Sequence, residues 1–167
     1  MISGCGKPSE PSVKTSPFHA LEVYFDNEIK TLEHSKRLLK KNIQTNKKTE
    51  EVIIAHPDWK KELATFTSSI SGKRITESSF LRDSMNFGKN YKIQYTAIDE
   101  KMEIKSLIVY YSDSTPDSIV IMTAVDNMYY RAIDTLVYHG NGNYRISASN
   151  EPSLGKNIRF ILTGHSE

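Results

Sequence analysis

The second half of the chain alternates short apolar segments with turn residues, and this pattern limits the fold more than any other feature. Six segments have the length and composition of strands, at residues 91–97, 102–111, 119–125, 128–138, 144–148 and 158–163. The links between them are too short for the crossover that parallel neighbours require. An Asn-Gly pair at 141–142 adds a strong hairpin signal. The sequence therefore predicts an antiparallel meander of about six strands.

A long amphipathic helix is predicted before the sheet. Ser16-Pro17 is typical of a helix start, since serine can cap and proline is tolerated in the first turn. Apolar residues then recur at spacings of three, four and seven, namely Phe18, Leu21, Phe25, Leu32, Leu39 and Ile43. This stripe predicts one helix over residues 17–44. A short strand is predicted at 49–54 from its β-branched content.

A second helix is predicted to begin at His56-Pro57-Asp58. Its apolar residues recur at spacings of three and four, and Gly72 supplies the stop; they are Trp59, Leu63, Phe66 and Ile70. Residues 71–90 show no regular spacing of apolar residues. We therefore expect a surface excursion there, with four apolar side chains packed against the body, namely Phe80, Leu81, Met85 and Phe87.

The central strands are apolar on both faces. Within residues 102–111, Ile104, Ile108 and Tyr110 alternate with a second apolar set, Leu107, Val109 and Tyr111. In the next strand, Ile121 and Val125 oppose Val120 and Met122. Antiparallel sheets usually leave one face to water, so two apolar faces predict that both are covered. The long helix would cover one. The second helix, a curled sheet or a bound apolar ligand would cover the other.

The predicted fold class is therefore α+β. Two helices pack on a roughly six-stranded antiparallel meander, with a curled half-barrel as one form of that sheet. The candidate residues facing an apolar ligand are Leu107, Val109, Tyr111, Val120 and Met122.

Composition excludes several classes of function. With 22 Lys and Arg against 20 Asp and Glu, the net charge of +2 gives no broad attraction for nucleic acid. No apolar run approaches the roughly 20 residues that span a bilayer. A single cysteine excludes an internal disulfide framework and a thiolate zinc cluster.

No arrangement of residues in the sequence favours catalysis. No two of the five histidines are three or four residues apart, so no helical metal site is predicted; they are His19, His34, His56, His139 and His165. The first helix carries the carboxylates Glu22, Asp26, Glu28 and Glu33, which we interpret as its solvated side. The serine-rich tract 67–72 lacks a nucleophile elbow. We therefore expect a protein that is not an enzyme and needs neither a cofactor nor a metal.

Two further features can each be interpreted either as purely structural or as functional. The basic stretch 36–48 could touch anionic lipid headgroups, but Glu50 and Glu51 follow at once and favour a solvated face. The pairs Tyr110-Tyr111 and Tyr129-Tyr130 place rings on both sides of strands. A two-layer core is the preferred interpretation of these rings, and an interface is the alternative.

The start of the chain predicts a lipid anchor. Ile2-Ser3-Gly4 precede Cys5, and the sequence resembles the lipobox of bacterial lipoproteins, in which the cysteine thiol is acylated and the leader is cut before it. The Pro- and Ser-rich residues 6–12 fit a flexible tether. We expect residues 1–16 to be a leader remnant, lipidated Cys5 and tether, and residues 17–167 to be one α+β domain. The alternative is a chance sequence with Cys5 as an exposed thiol.

Segments along the body extend this resemblance. They include residues 49–51 leading to 58–63 and Phe66, and the strand ends 136–138, 144–146 and 159–164. Together with the lipobox-like start, they resemble small lipoproteins of Bacteroidota that have no assigned reaction. The resemblance covers most of residues 17–164. It implies an outer membrane lipoprotein facing the periplasm. In that family, acidic residues just after the cysteine accompany surface export, and here only Glu10 is acidic within residues 6–16.

Two functions follow from these expectations. The first is a non-catalytic, lipid-anchored binding or assembly module in the cell envelope, with the membrane and an envelope protein as partners and no nucleic acid. The alternative is a periplasmic carrier of an apolar ligand, similar in architecture to periplasmic lipoprotein carriers, with a cavity between a curled sheet and the helices.

Overall fold

An antiparallel sheet of nine strands dominates the structure, a computed structural model that describes residues 17–71 and 77–167. In chain order the strands are β1 (Leu39–Thr45), β2 (Thr49–Ile54), β3 (Phe80–Phe87), β4 (Asn90–Ala97), β5 (Ile104–Ser112), β6 (Thr115–Asp126), β7 (Tyr130–Tyr138), β8 (Tyr144–Pro152) and β9 (Ile158–Ser166). Their order across the sheet is β2-β1-β9-β8-β7-β6-β5-β4-β3. Because β2 and β3 form free edges, the sheet is not closed into a barrel.

Three helices accompany the sheet. They are α1 (Pro17–His34), α2 (Trp59–Glu62) and α3 (Ala64–Ile70), and a 3₁₀ turn follows at Glu77–Ser79. The predicted stripe of α1 is buried, at Phe18, Leu21, Phe25, Ile29 and Leu32. None of the helices in the described ranges is long and apolar enough to cross a bilayer.

Aromatic rings join the helices to the sheet. Phe25 of α1 and Phe66 of α3 both contact Tyr138 of β7, with ring centroids 5.3 and 5.7 Å apart. Phe18 meets Phe80 of β3 at 5.2 Å. Beneath these rings the central strands bury Leu107, Ile121 and Leu136. All three helices thus pack on the same face of the sheet.

The predicted antiparallel meander is confirmed for its six segments, which are β4 to β9. The predicted α+β class holds only in part, because β1, β2 and β3 extend the sheet to nine strands and the helices are short. The turns explain why the meander is so regular. Asp113 and Ser114, both at positive φ (46° and 70°), join β5 to β6 as a two-residue turn of the primed type that matches strand twist. Asn141 and Gly142 at the β7–β8 turn also have positive φ (53° and 77°). Strands β6, β8 and β9 are longer than predicted, whereas β5 and β7 are shorter.

The predicted helix over residues 17–44 is wrong in its second part. The helix ends at His34, and the Ser35 hydroxyl donates to the carbonyl of Leu32 at 2.7 Å. Residues 39–45 form β1, which pairs with both β2 and β9. The error has a geometric cause. Leu39 and Ile43 are four apart, and that spacing puts two side chains on one face of a helix and also of a strand.

The predicted surface excursion over residues 71–90 is also wrong where the structure describes it. Residues 80–87 form the edge strand β3, paired with β4 from Phe80 opposite Ala97 to Phe87 opposite Asn90. Phe80 is buried, but Leu81, Met85 and Phe87 are exposed, so the strand shows no clean alternation. The predicted stop at Gly72 lies outside the described residues.

The expectation that both sheet faces are covered is not met within the described residues. The second helix, which the structure divides at Leu63 into α2 and α3, shares the face of α1. The side chains of Ile108, Val120 and Val137 on the other face are only half-buried. The sheet therefore has one helix-covered face and one face with no helix over it.

Gly164 of β9 gives the covered face room for an aromatic ring. It lies directly opposite Tyr144 of β8, and a Cβ atom at this position would fall well inside contact distance of the Tyr144 ring. The ring in turn packs on Phe66 with centroids 6.0 Å apart. The absence of a side chain at Gly164 thus fixes how closely α3 can approach the sheet.

We predict that Gly164→Ala lowers the free energy of unfolding by about 1–3 kcal/mol, because overpacking displaces the Tyr144 ring. Urea denaturation followed by circular dichroism measures the change. In a Tyr144→Leu background the same substitution should cost less, since the clashing ring is gone. An equal cost in both backgrounds would contradict this explanation.

Candidate functional site: the open face of the sheet

The face without helices, which we call the open face, carries a row of uncharged residues that crosses all nine strands. Strand register places these residues side by side, one from each strand. From β3 to β2 they are Leu81, Thr96, Ser106, Met122, Thr135, Ser147, Ile161, Gln44 and Thr49. Charged residues make up 25% of the chain, so nine residues would carry about two charges on average, and this row carries none.

The neighbouring rows extend this uncharged centre. On one side lie Gln94, Ile108, Val120, Val137, Thr163 and Asn42, interrupted on β8 by Arg145. On the other side lie Ala124, Ile133 and Ser149, ending at Arg159 on β9. Charged side chains thus stand mainly around an uncharged centre, which is the layout of many protein interfaces.

A shallow hollow marks the middle of the open face. Its volume is about 260 Å³, and it lies over β7, β8 and β9. Its open-face lining consists of Ile133, Thr135, Ser147, Ser149, Arg159 and Ile161. Burying this lining under a partner would require desolvating hydroxyl groups and the Arg159 guanidinium, so the partner would have to supply hydrogen-bond acceptors for these donors.

The five residues predicted to face an apolar ligand do not share one surface. Leu107 and Val109 lie on the covered face, 0% and 2% exposed, where they belong to the core. Tyr111 lies on the same face and stacks on Tyr91, with centroids 4.6 Å apart. Val120 and Met122 lie on the open face, and Met122 is 40% exposed. The structure therefore brings only Val120 and Met122 to the uncharged centre. Cys5, the residue predicted to be lipidated, lies outside the described residues.

Aromatic rings occupy the space between helices and sheet at the place where the carrier hypothesis needs a cavity. Phe25 and Phe66 contact one another with centroids 5.8 Å apart, and both contact Tyr138. These three side chains are at most 1% exposed. An apolar ligand in this region would have to displace packed rings.

A partly buried ion pair fixes α2 to the covered face. Lys41 of β1 donates to Glu62 of α2 at 2.7 Å, and the Tyr144 hydroxyl donates to the same carboxylate oxygen at 2.8 Å. Burial, reinforced by the hydrogen bond to Glu62, raises the pKa of Tyr144 well above its ordinary value. The hydroxyl therefore stays protonated and acts as a fixed donor.

A second carboxylate is equally structural. Glu28 of α1 accepts from the Tyr138 hydroxyl at 2.7 Å and from the Asn141 backbone N–H at 2.6 Å. The Gly142 N–H donates to the Tyr138 oxygen at 3.0 Å. Burial and the hydrogen bond to Glu28 raise the pKa of Tyr138. Our interpretation of Glu28 as a solvated residue is therefore wrong. Its partners lie more than 100 residues away, so no local pattern could have revealed them.

In the part of the chain that the structure describes, the histidines belong to no group of three or more side chains that could hold a metal ion. His19 Nδ1 lies 3.3 Å from Glu22, one turn along α1. His34 Nδ1 lies 2.6 Å from the Lys30 carbonyl oxygen. His139 contacts the Ser118 hydroxyl at 3.4 Å. All three contacts are exposed, and the first two lie within α1.

A wider groove of about 820 Å³ lies between the β4–β5 and β6–β7 turns. Its charged lining mixes both signs, with Asp99, Glu100, Glu103 and Asp126 against Lys101, Lys105 and Arg131. Because the charges nearly balance, the groove has no clear preference for an anion or a cation.

No family model matches the chain, and none of the curated proteins or solved structures compared with it is significantly similar. The open face therefore has to be interpreted from its own chemistry.

We predict that Glu62→Gln destabilises the protein by about 1–3 kcal/mol, because Lys41 is left without its anion in a partly buried position. The matched control is Glu51→Gln, which breaks the exposed pair between Lys40 and Glu51 and should change stability by about 0.5 kcal/mol or less. Thermal unfolding of both variants at low and high salt measures the difference. Similar losses in the two variants would show that Glu62 has no special structural role.

Asp134 of β7 provides a test of pH dependence. It is half-buried, and burial, with a smaller contribution from the charge of Glu103, raises the pKa of its carboxyl. The folded state therefore penalises the ionised form, and this penalty applies above the folded pKa and fades as the pH falls through it. Asp134→Asn should raise Tm at pH near 7, and the gain should shrink in acid. Asp26→Asn, on the exposed side of α1, should show no such trend.

Proposed function

We propose that this protein is a non-catalytic lipoprotein of the cell envelope that binds an envelope protein through the open face. Acyl chains on Cys5 hold it on the periplasmic side of the outer membrane. The observation that carries the binding role is the row of nine uncharged residues across the open face.

The size of the uncharged centre supports a protein partner over a small molecule. Eight strand spacings of about 4.8 Å give a width of roughly 38 Å. Three rows about 6.8 Å apart across this width, with the charged positions included, cover roughly 780 Å². This is close to the roughly 800 Å² that each side of a standard interface buries. The hollow of about 260 Å³ is small beside this area and would accept one protruding side chain of the partner.

The rim gives the partner a charge preference. On β7, β8 and β9 the open face carries Arg131, Arg145 and Arg159 against a single acid, Glu151. A partner with an uncharged centre and an acidic border would complement this arrangement.

The anchoring role is supported by the sequence around Cys5. The resemblance to a lipobox supplies the acylated thiol, and each buried CH₂ of an attached lipid contributes about 0.8 kcal/mol to membrane binding. Eleven residues separate Cys5 from Pro17, enough to reach at most about 40 Å. The domain can therefore stay within its own diameter of the membrane.

The carrier alternative has less support. Its cavity would lie where Phe25, Phe66 and Tyr138 pack on one another. The open face remains accessible to an apolar group, but it offers no enclosed space for a whole lipid.

The anchor is tested by metabolic labelling. We expect radiolabelled palmitate to enter the wild-type protein, produced from its native gene in its own host, and not Cys5→Ala. The variant should also leave the membrane fraction. A Cys5→Ala protein that keeps both label and membrane association would contradict the anchor.

The binding face is tested by site-specific photo-crosslinking in intact cells. A probe at Ser147 should give a discrete product with another envelope protein, whereas a probe at Asn27, on the exposed side of α1, should not. Thr135→Arg places a charge in the uncharged row and should abolish the Ser147 product while leaving the circular dichroism spectrum and Tm unchanged. Equal products from both probes would contradict the proposal, and a product of twice the monomer mass would replace the envelope partner with a second copy of the chain.

A further inference from the structure

One end of the sheet exposes large apolar side chains at the tips of two adjacent turns. Met128 and Tyr129 in the β6–β7 turn are 78% and 72% exposed. Leu154 in the β8–β9 turn is 92% exposed, the highest value among the exposed large apolar residues. We call these three residues the apolar tips. Single exposed apolar side chains are normal on protein surfaces, but several on adjacent turns form a patch of the kind that marks a protein or membrane interaction site.

Hydrogen bonds hold the apolar tips together. The Ser153 N–H donates to the Tyr129 carbonyl at 2.8 Å, and the Ser153 hydroxyl donates to the Met128 carbonyl at 2.7 Å. The β1–β2 turn is joined to the same group, since the Asn46 side-chain amide donates to the Asn157 carbonyl at 2.6 Å. The three turns thus form one braced end and not separate flexible loops.

The described chain begins at this end. In a meander, alternate turns share an end, so the β4–β5, β6–β7 and β8–β9 turns lie together. Phe18, the second residue of α1, contacts Phe80, and Phe80 pairs with Ala97 just before the β4–β5 turn. Counted from β3, the β6–β7 turn is three to four strands away and the β8–β9 turn five to six. These separations are roughly 14–29 Å at about 4.8 Å per strand. A tether from Cys5 that reaches about 40 Å covers these distances.

Basic residues accompany the apolar tips. The β1–β2 turn carries Lys47 and Lys48, and the β8–β9 turn carries Lys156, with no acid within residues 46–48 or 153–157. Glu50 pairs with Lys48, whereas neither Lys47 nor Lys156 forms an ion pair within the described residues. The β4–β5 turn is acidic by contrast, with Asp99, Glu100 and Glu103 against Lys101. An anionic surface would therefore attract the part of this end that carries the β1–β2 and β8–β9 turns. It would repel the part that carries the β4–β5 turn.

We propose that the apolar tips insert into the surface of the lipid bilayer that holds the anchor, with Lys47 and Lys156 against its anionic headgroups. This inference rests on the anchor proposed above, because the tether supplies the high local concentration that three side chains need. Tyrosine has an apolar ring and a polar hydroxyl, which suits it to the bilayer interface. Leu154 and Met128 supply side chains that reach the acyl region.

Depth-dependent fluorescence quenching tests the insertion. The full chain has one cysteine, so the Cys5 thiol can be coupled to a maleimide lipid in vesicles of phosphatidylethanolamine and phosphatidylglycerol brominated along their acyl chains. Tyr129→Trp reports on the apolar tips. Phe87→Trp is the matched control, because Phe87 is also an exposed aromatic residue, 57% exposed, but lies at the opposite end of the sheet. Trp59 is buried and gives the same background in both proteins.

We expect bromine to quench the Tyr129→Trp protein several-fold more strongly than the Phe87→Trp protein. Adding Leu154→Ser and Lys156→Glu to the Tyr129→Trp protein should remove most of that difference. Equal quenching in the two proteins, or quenching indifferent to the added substitutions, would overturn the insertion.

Chemical coupling also separates this inference from the anchor. If palmitate labelling fails in the host but quenching differs as expected, the anchor is wrong and the tips still bind lipid. If labelling succeeds and the two proteins are quenched equally, the anchor stands and the insertion is wrong.

Discussion

The contact of Phe25 and Phe66 with Tyr138 determines how the rest of the molecule is arranged. These rings come from α1, α3 and β7, and each is almost fully buried. The Tyr138 hydroxyl cannot be left unpaired in that position, and Glu28 and the Gly142 N–H satisfy it. Because α1 and α3 meet the same ring, both helices are committed to one face. Among the described residues, the other face is therefore left without a helix over it.

The two faces have different chemistry as a consequence. The covered face uses buried aliphatic and aromatic residues, with Lys41, Glu62 and Tyr144 satisfying one another at its margin. The open face combines aliphatic side chains with hydroxyl and amide groups and places most of its charges at the border. Neutral hydrogen-bonding groups keep such a surface wettable when free, and they cost less to desolvate than charges would when it is covered. This balance suits a surface that is sometimes bound.

Much of the fold could be predicted from local patterns. The turns at 113–114 and 141–142 define the meander, and the stripe from Phe18 to Leu32 defines α1. The errors arose where local patterns are ambiguous. Leu39 and Ile43 fit either period, and β3 is an edge strand whose apolar residues lie on the exposed side.

The sequence also showed that the central strands are apolar on both faces. It could not show that both helices pack on the same face. That arrangement depends on contacts between residues far apart in the chain, such as Glu28 with Tyr138. The open face was consequently missed as a site, and only Val120 and Met122 of the predicted residues lie on it.

The end of the sheet that carries Met128, Tyr129 and Leu154 has a geometric consequence for the choice of partner. A sheet that stands on this end has its strands along the membrane normal, so its broad faces point sideways, parallel to the lipid plane. A protein rising from the same leaflet could then meet the open face by lateral diffusion alone, without leaving the membrane. Such an upright posture would favour neighbours embedded in the same leaflet over molecules dissolved in the surrounding compartment.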